Sequence, residues 1–306
     1  MTLPLRGVIP PMITPLLENL ELDTVGLERL IEHLIKGGVH GIFLLGTNGE
    51  GPSLDYRIRK QLVAETCKIV AHRVPVLVGI TDTSLACSLE MANYSKQVGA
   101  DMLVLAPPYY FPISQAEMVR YLEIIVPQLE LPFLLYDIPS CTNLHLNLST
   151  IKRAAQLGAI GVKDSSGDLG ALYSIIEAFK DDGNFSVIAG AELFLSDVVM
   201  HGGHGVVAGG ANIFPRLFVD LYEASVRKDL GQVARLRQKI LQIHATLYNL
   251  GDSSTRSIMA IKGSLSLLGI CSDYMAPPLH AFEAKDRQRI SDYLAGFEWV
   301  EGGIRH

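Results

Sequence analysis

The sequence predicts an α/β fold, a (β/α)8 barrel with a C-terminal helical appendage. Three observations carry this. Short apolar, β-branched runs recur along the chain, amphipathic patterns of helical period lie between them, and after residue 226 only helical pattern continues. Eight such strand–helix units suit a closed barrel better than an open sheet. Residues 1–226 are therefore expected as the barrel and 227–306 as a helical subdomain, with no linker rich in Gly, Ser or Pro between them.

Gly7–Ile13 opens the series of strands and leads to the helical segment Thr24–Lys36, where Leu27, Leu30, Ile31 and Leu34 fall on one face. Gly41–Leu45 is followed by the helix Tyr56–Ala71, Val74–Ile80 by Leu85–Val98, and Asp101–Ala106 by Ala116–Leu129. Phe133–Asp137 is the fifth strand, and the sixth, Ala159–Lys163, runs into the helix Leu169–Phe179. Phe185–Ala189 and Gly205–Ala208 complete the eight, the last followed by Ile213–Val226. The appendage reads as Leu230–Leu250, Thr255–Leu267 and Ala284–Ala295, with Pro277-Pro278 breaking the pattern before the last helix. This is the element order of a TIM barrel.

Composition fixes the setting. With 306 residues, 48% hydrophobic and only 19% charged, the chain buries one large core. A net charge of -6 without a basic stripe argues against nucleic acid as a partner. No apolar stretch approaches the ~20 residues that span a bilayer, and the N-terminus lacks the apolar segment of a signal peptide, so a soluble, cytoplasmic protein is expected. Cys67, Cys87, Cys141 and Cys271 show no C-x-x-C spacing and read as reduced thiols, mostly packed. His201 and His204 flank two glycines without a convergent carboxylate, so no metal site is expected.

Chemistry in such a barrel belongs where the strands end. Lys163 closes the apolar run Ala159-Ile160-Gly161-Val162 and is followed at once by Asp164-Ser165-Ser166-Gly167-Asp168, a turn and a helix start. Its stem among apolar residues favours the neutral amine, a nucleophile toward carbonyls. The plainer reading is a strand-end lysine paired to Asp164 or Asp168. The second strand ends in Gly46-Thr47-Asn48-Gly49-Glu50-Gly51, whose glycines permit positive φ and whose N–H groups can converge on an anion. Asn48 breaks the dinucleotide pattern and no Gly-Lys-Ser/Thr follows, so a substrate carboxylate is the better guest; taken alone, the loop is also an ordinary tight turn. Tyr136 ends the fifth strand at the same mouth, where a phenol either passes protons or packs at the rim. The fourth strand ends in the stiff aromatic loop Pro107-Pro108-Tyr109-Tyr110-Phe111-Pro112, suited to a site contact, an oligomer contact or both.

Taken together, Gly46-Thr47-Asn48-Gly49-Glu50, Pro108-Tyr109-Tyr110, Tyr136-Asp137-Ile138-Pro139 and Gly161-Val162-Lys163-Asp164-Ser165 resemble the signature loops of the dihydrodipicolinate synthase/N-acetylneuraminate lyase family, Schiff-base aldolases on a (β/α)8 barrel. The resemblance spans essentially the whole chain, from Gly7-Val8-Ile9-Pro10-Pro11 through Asp273-Tyr274, Pro277-Pro278 and Leu279. It implies that Lys163 condenses with the keto group of pyruvate or a 2-keto acid and that Tyr136 moves protons at the reacting hydroxyl. Thr47 would link Tyr136 to a second tyrosine, aligned with Tyr110, from a neighbouring subunit. The backbone of Thr47 and Asn48 would hold the ketoacid carboxylate, and Val207 matches the position whose carbonyl flanks the imine. No cofactor and no metal is implied, because the covalent imine itself is the electron sink. A homotetramer is the usual assembly of the family, with pyruvate or a 2-keto acid and an aldehyde as small-molecule substrates.

Departures sort the subfamilies. Cys141 stands where dihydrodipicolinate synthases carry an arginine for the carboxylate of aspartate semialdehyde, and a thiol does not replace a bidentate guanidinium. Asn48 also breaks the synthase threonine pair. Gly190-Ala191-Glu192-Leu193 departs from the Gly-Tyr-Asp-Glu of N-acetylneuraminate lyases, and Gly209 stands at their glycerol-binding serine. Gly49-Glu50-Gly51-Pro52-Ser53-Leu54 and Val207-Ala208-Gly209-Gly210-Ala211-Asn212 resemble loops of the aldolases of 2-keto-3-deoxy sugar acids. Ser165, Glu192 and the peptides around Gly209 are then candidates for the substrate hydroxyls. Glu192 equally suits a helix N-terminus, and Asn212 a helix cap. The expected activity is a metal-independent class I aldolase, a carbon–carbon lyase that cleaves such an acid to pyruvate and a hydroxyaldehyde, or joins the two. Dihydrodipicolinate synthase, N-acetylneuraminate lyase and a dehydratase using the same imine are the alternatives within the family. A catalytically silent ketoacid-binding barrel is the alternative of another class, and the intact Lys163, Tyr136 and Thr47 argue against it.

Overall fold

Eight short parallel strands form one sheet in the computed structural model, which describes residues 3–297; Met1, Thr2 and the last residues of the expected C-terminal subdomain, 298–306, lie outside the described residues. The strands are β1 (Gly7–Val8), β2 (Ile42–Leu44), β3 (Val76–Gly79), β4 (Met102–Leu105), β5 (Phe133–Asp137), β6 (Ala159–Asp164), β7 (Ser186–Ala189) and β8 (Gly205–Val206). From β2 to β8 each pairs with its neighbour in the chain, and β8 returns to pair with β1. Between β1 and β2 the ladder is carried by the segment after β1: Phe43 N donates to Pro10 O at 3.0 Å and Met12 N donates to Phe43 O at 2.9 Å. That closes the barrel. The first strand is shorter than the expected Gly7–Ile13 because Pro10 and Pro11 have no N–H to give to a ladder.

The helices alternate with the strands: α1 (Thr24–Lys36), α2 (Tyr56–Val70), α3 (Leu85–Gln97), α4 (Gln115–Ile125), the single turn α5 (Pro139–Thr142), α6 (Leu148–Leu157), α7 (Leu169–Ala178), α8 (Leu195–Met200) and α9 (Pro215–Val226). The appendage adds α10 (Leu230–Ala245), α11 (Arg256–Leu267) and α12 (Ala284–Gly296). Aspartates start several of them: Asp23, Asp55 and Asp168 accept from the N–H of Gly26, Ile58 and Ala171 at 2.8, 2.7 and 2.9 Å. Helix α4 begins earlier than the expected Ala116 because Ser114 and Glu117 form a capping box, and it ends at Ile125 because Pro127 cannot donate in the next turn. Helix α6, between Asn147 as N-cap and Gly158 at φ 117°, and the short α8 fill intervals that the sequence reading left undelimited.

Two apolar layers result. Ile9, Phe43, Leu77, Met102, Leu134 and Ile188 fill the barrel interior, and a larger cluster, including Leu27, Leu30, Ile31 and Leu34 of α1, packs between sheet and helices. Asn212, expected as a helix cap, instead bolts the β8 loop to the first strand segment: its Oδ1 accepts from Ile13 N, and its Nδ2 donates to Pro11 O and Gly209 O. The appended helices reach the strand-end loops through side chains of α10 and α11. No helix among the described residues is long and apolar enough to cross a membrane.

Candidate active site

The pairing of β5 with β6 shifts register between Phe133 and Leu135 and then sets Tyr136 opposite Lys163 and Asp137 opposite Asp164. Because side chains alternate faces along a strand, such a one-residue irregularity decides which residue points inward. Gly161 permits the close approach of β7, since a Cβ there would collide with Ser186 O. The result places the Lys163 amine 3.4 Å from the centroid of the Tyr136 ring, with Phe43 5.8 Å away on another side. Lys163 is only 4% exposed. Burial holds its amine well below the ordinary lysine value, although the neighbouring Asp164 pulls the other way.

The amine donates to Ser165 Oγ at 3.0 Å, and Ser165 N is in turn held by Asp137 O at 2.8 Å. Room for that hydroxyl comes from Gly190, where a side chain would collide with it. Burial pushes the Tyr136 phenol up to about 12, against hydrogen bonding from Ser165 and Thr47. Lys163, Tyr136, Ser165 and Thr47 are thus gathered in one place. Behind them Asp137 is fully buried: Oδ2 meets His145 Nδ1 at 2.6 Å and Oδ1 accepts from Leu146 N at 3.1 Å. Burial, reinforced by Asp164, raises its carboxyl to about 6 despite the bond from Leu146.

The other expected site residues fall in three places. Asn48 lies against Gly209, where a Cβ would approach its Nδ2 to 2.7 Å and the Tyr248 hydroxyl to 3.5 Å; Val207 is buried in the barrel interior. Glu192 spends both carboxylate oxygens on the protein, with Oε2 accepting from Gly210 N at 2.8 Å and Oε1 meeting His244 Nε2 at 2.9 Å. Tyr110, 80% exposed, packs on Phe111 and stands outside the cavity within a single chain.

That cavity, about 170 Å³, opens beside Tyr136 and Thr47 and is also lined by Tyr109, Cys141 and Arg59. Arg59 carries no signal in the sequence, since an arginine in the first turns of an amphipathic helix looks like any solvated helix charge; of the aromatic loop expected at the site, Tyr109 rather than Tyr110 lines this cavity, and the two are indistinguishable in pattern. The buried pair Glu50–Lys262 carries no such signal either, because its members come from the β2 loop and the appendage. All four cysteines are free, Cys271 buried, Cys67 and Cys87 half-buried and Cys141 exposed. No three His, Cys, Asp or Glu side chains among the described residues gather into a metal site, and the His204 ring accepts from Val187 N at 3.0 Å.

The model of the dihydrodipicolinate synthetase family matches residues 4–296. A 4-hydroxy-tetrahydrodipicolinate synthase of Methanopyrus kandleri is 31% identical over 278 residues, covering 90% of each chain. An Escherichia coli K12 protein, YagE, named provisionally as a 2-dehydro-3-deoxy-D-gluconate aldolase, is 32% identical over 292 residues, 94% of this chain and 95% of its own. Among solved structures, dihydrodipicolinate synthase from Bacteroides thetaiotaomicron superposes with a TM-score of 0.94 at 46% identity, covering 97% of this chain and all of that one. YagE in complex with pyruvate superposes with a TM-score of 0.89 at 31% identity, covering 94% and 97%.

Proposed function

This chain belongs to the dihydrodipicolinate synthetase family, and on that premise we propose that it is a pyruvate-dependent class I aldolase of 2-keto-3-deoxy sugar acids. It is an enzyme of the aldolase–lyase kind. The observation that carries the mechanism is the buried, neutral-leaning amine of Lys163 against the Tyr136 ring. The amine adds to the C2 carbonyl of the keto acid and, with loss of water, forms a protonated imine. N–H groups of Thr47 and Asn48 hold the carboxylate, and Ser165 orients the amine beforehand. Tyr136 takes the proton of the C4 hydroxyl, the C3–C4 bond breaks, and its electron pair passes into the imine to give an enamine and a free aldehyde. Protonation at C3 and hydrolysis of the imine release pyruvate and restore Lys163. A phenol near 12 starts protonated; the cationic imine beside its ring favours the phenolate when it is needed. Thr47, and Tyr110 supplied by a neighbouring subunit of a homotetramer, complete the proton path. No metal and no cofactor enters this sequence.

Tyr136→Phe removes the hydroxyl and keeps the ring, so bond cleavage is expected to slow by roughly 10²–10⁴-fold. Trapping of the pyruvate imine should suffer far less. Near-normal turnover with chemistry rate-limiting would make Tyr136 a packing residue only.

The substrate class rests on Cys141, a neutral side chain on the cavity wall at the place of the synthase arginine. Pyruvate is expected to condense with hydroxyaldehydes such as glyceraldehyde at a higher kcat/KM than with aspartate semialdehyde, and Cys141→Arg should move the ratio toward the semialdehyde. Steady-state rates across that aldehyde panel decide it. Synthase activity is the second reading, and one observation favours it: a different guanidinium, that of Arg59, lines the same cavity.

A further inference from the structure

Arg59 is nine-tenths buried, yet it lines the cavity that Tyr136 and Thr47 open onto. It is held on several sides. Nε donates to Leu54 O at 2.9 Å, Nη1 to Asp82 Oδ2 at 3.3 Å and Nη2 to Pro52 O at 3.4 Å, while the guanidinium lies 4.6 Å above the Tyr56 ring. One N–H on each terminal nitrogen remains for the cavity. Asp82 is fixed in turn: Tyr56 donates to Oδ2 at 2.5 Å and Ser84 N to Oδ1 at 3.1 Å. Burial works against its charge, but Tyr56, Ser84 and Arg59 together hold its carboxyl below the ordinary value, so the pair is ionised and neutral as a unit. Tyr109, on the same wall, feels both charges.

We propose that Arg59 determines which aldehyde the enzyme takes, donating its two remaining N–H groups to hydroxyl oxygens at the distal end of the substrate, and that Asp82 is the positioning residue that fixes this class. The proposal rests on the aldolase reading of Lys163. A carboxylate guest would set a second anion on a nine-tenths-buried guanidinium whose charge Asp82 already balances. A hydroxyl accepts the same N–H groups with no such penalty. The donor is therefore arginine, as a synthase needs, but the charge state suits neutral polyhydroxylated aldehydes.

The test compares kcat/KM for pyruvate with glyceraldehyde, with acetaldehyde, which has no hydroxyl, and with succinate semialdehyde, which has a carboxylate. Arg59→Met should lower the glyceraldehyde-to-acetaldehyde ratio by roughly 10–100-fold, the usual worth of a hydrogen bond to a charged donor. Arg59→Lys keeps the ion pair and loses the fork; it should lower the same ratio, and it serves if the methionine variant folds poorly. Asp82→Asn should raise the ratio of succinate semialdehyde to glyceraldehyde at least about tenfold, because the guanidinium then carries an unbalanced charge. Borohydride trapping of pyruvate on Lys163 is measured alongside. Trapping with all ratios unchanged overturns the role of Arg59 and leaves the imine reading standing. Absence of trapping in the unmodified enzyme overturns both.

Discussion

Borohydride added together with pyruvate is expected to leave a reduced adduct on Lys163 and to abolish activity, and Lys163→Met is expected to lose turnover by on the order of 10⁴–10⁶-fold. The amine's environment adds a pH signature. A lysine at the ordinary 10.5 would form the imine about ten times faster for each pH unit between roughly 7 and 9, as its neutral fraction grows. Burial holds Lys163 well below that value, so its imine-forming rate should rise less steeply over the same range and level off at a lower pH than for an ordinary lysine. Stability carries the mirror image. A lysine whose folded pKa is depressed binds its proton less tightly in the folded chain, so the cost to folding is present below the unfolded pKa and disappears as the pH rises above it. Near neutral pH, Lys163→Met should therefore be more stable than the unmodified protein by about 0.5–2 kcal/mol, a melting temperature higher by roughly 1–3 °C, while activity is gone. An adduct on another lysine would refute the assignment, and a lower melting point for the methionine variant would show that the buried amine is not held at a cost.

The place of Lys163 and Tyr136 at the ends of neighbouring strands is legible in the sequence because a barrel strand announces its end: an apolar run, then a turn. What the pattern does not carry is the shift in register that sets the two opposite each other, since it depends on how two strands pair and not on either alone. The same limit applies to β1, where the apolar run continues past Val8 but two prolines divert the ladder. Glu192 shows the limit of reading a residue type. A carboxylate at a barrel mouth suggests a ligand for hydroxyls, whereas here its oxygens hold Gly210 and His244, and only the fold brings His244 to it. Arg59 is the converse case, a helix charge in the sequence and a cavity wall in the structure. Its partner Asp82 lies in the β3 loop, so nothing local in the chain marks the pair.

The largest effect on stability is expected at Glu50 and Lys262, which join the β2 loop to α11 with both side chains fully buried and 2.5 Å between Oε1 and Nζ. Burial lowers the Lys262 pKa, opposed by Glu50. Oε2 of Glu50 also accepts from Ala276 N at 2.7 Å, and Lys262 donates to Tyr274 O at 2.5 Å, so the pair anchors the segment before Pro277 as well. Glu50 itself sits at φ 57°, a left-handed conformation that a non-glycine residue keeps only when its surroundings fix it. Lys262→Met leaves a buried carboxylate without its cation, a loss of about 3–5 kcal/mol. In a protein of this size that is a fall in melting temperature of roughly 5–8 °C. Replacing both partners by apolar residues, Glu50→Leu with Lys262→Met, removes the uncompensated charge and should recover most of the stability, because the desolvation of two ions is then no longer required. Pyruvate binding should not recover with it. The loop that Glu50 anchors carries Thr47 and Asn48, so the double variant should fold well and still show a raised KM for pyruvate. A double variant as unstable as Lys262→Met would show that packing, not charge pairing, holds this junction, and a native KM in that variant would show that the loop keeps its shape without the pair.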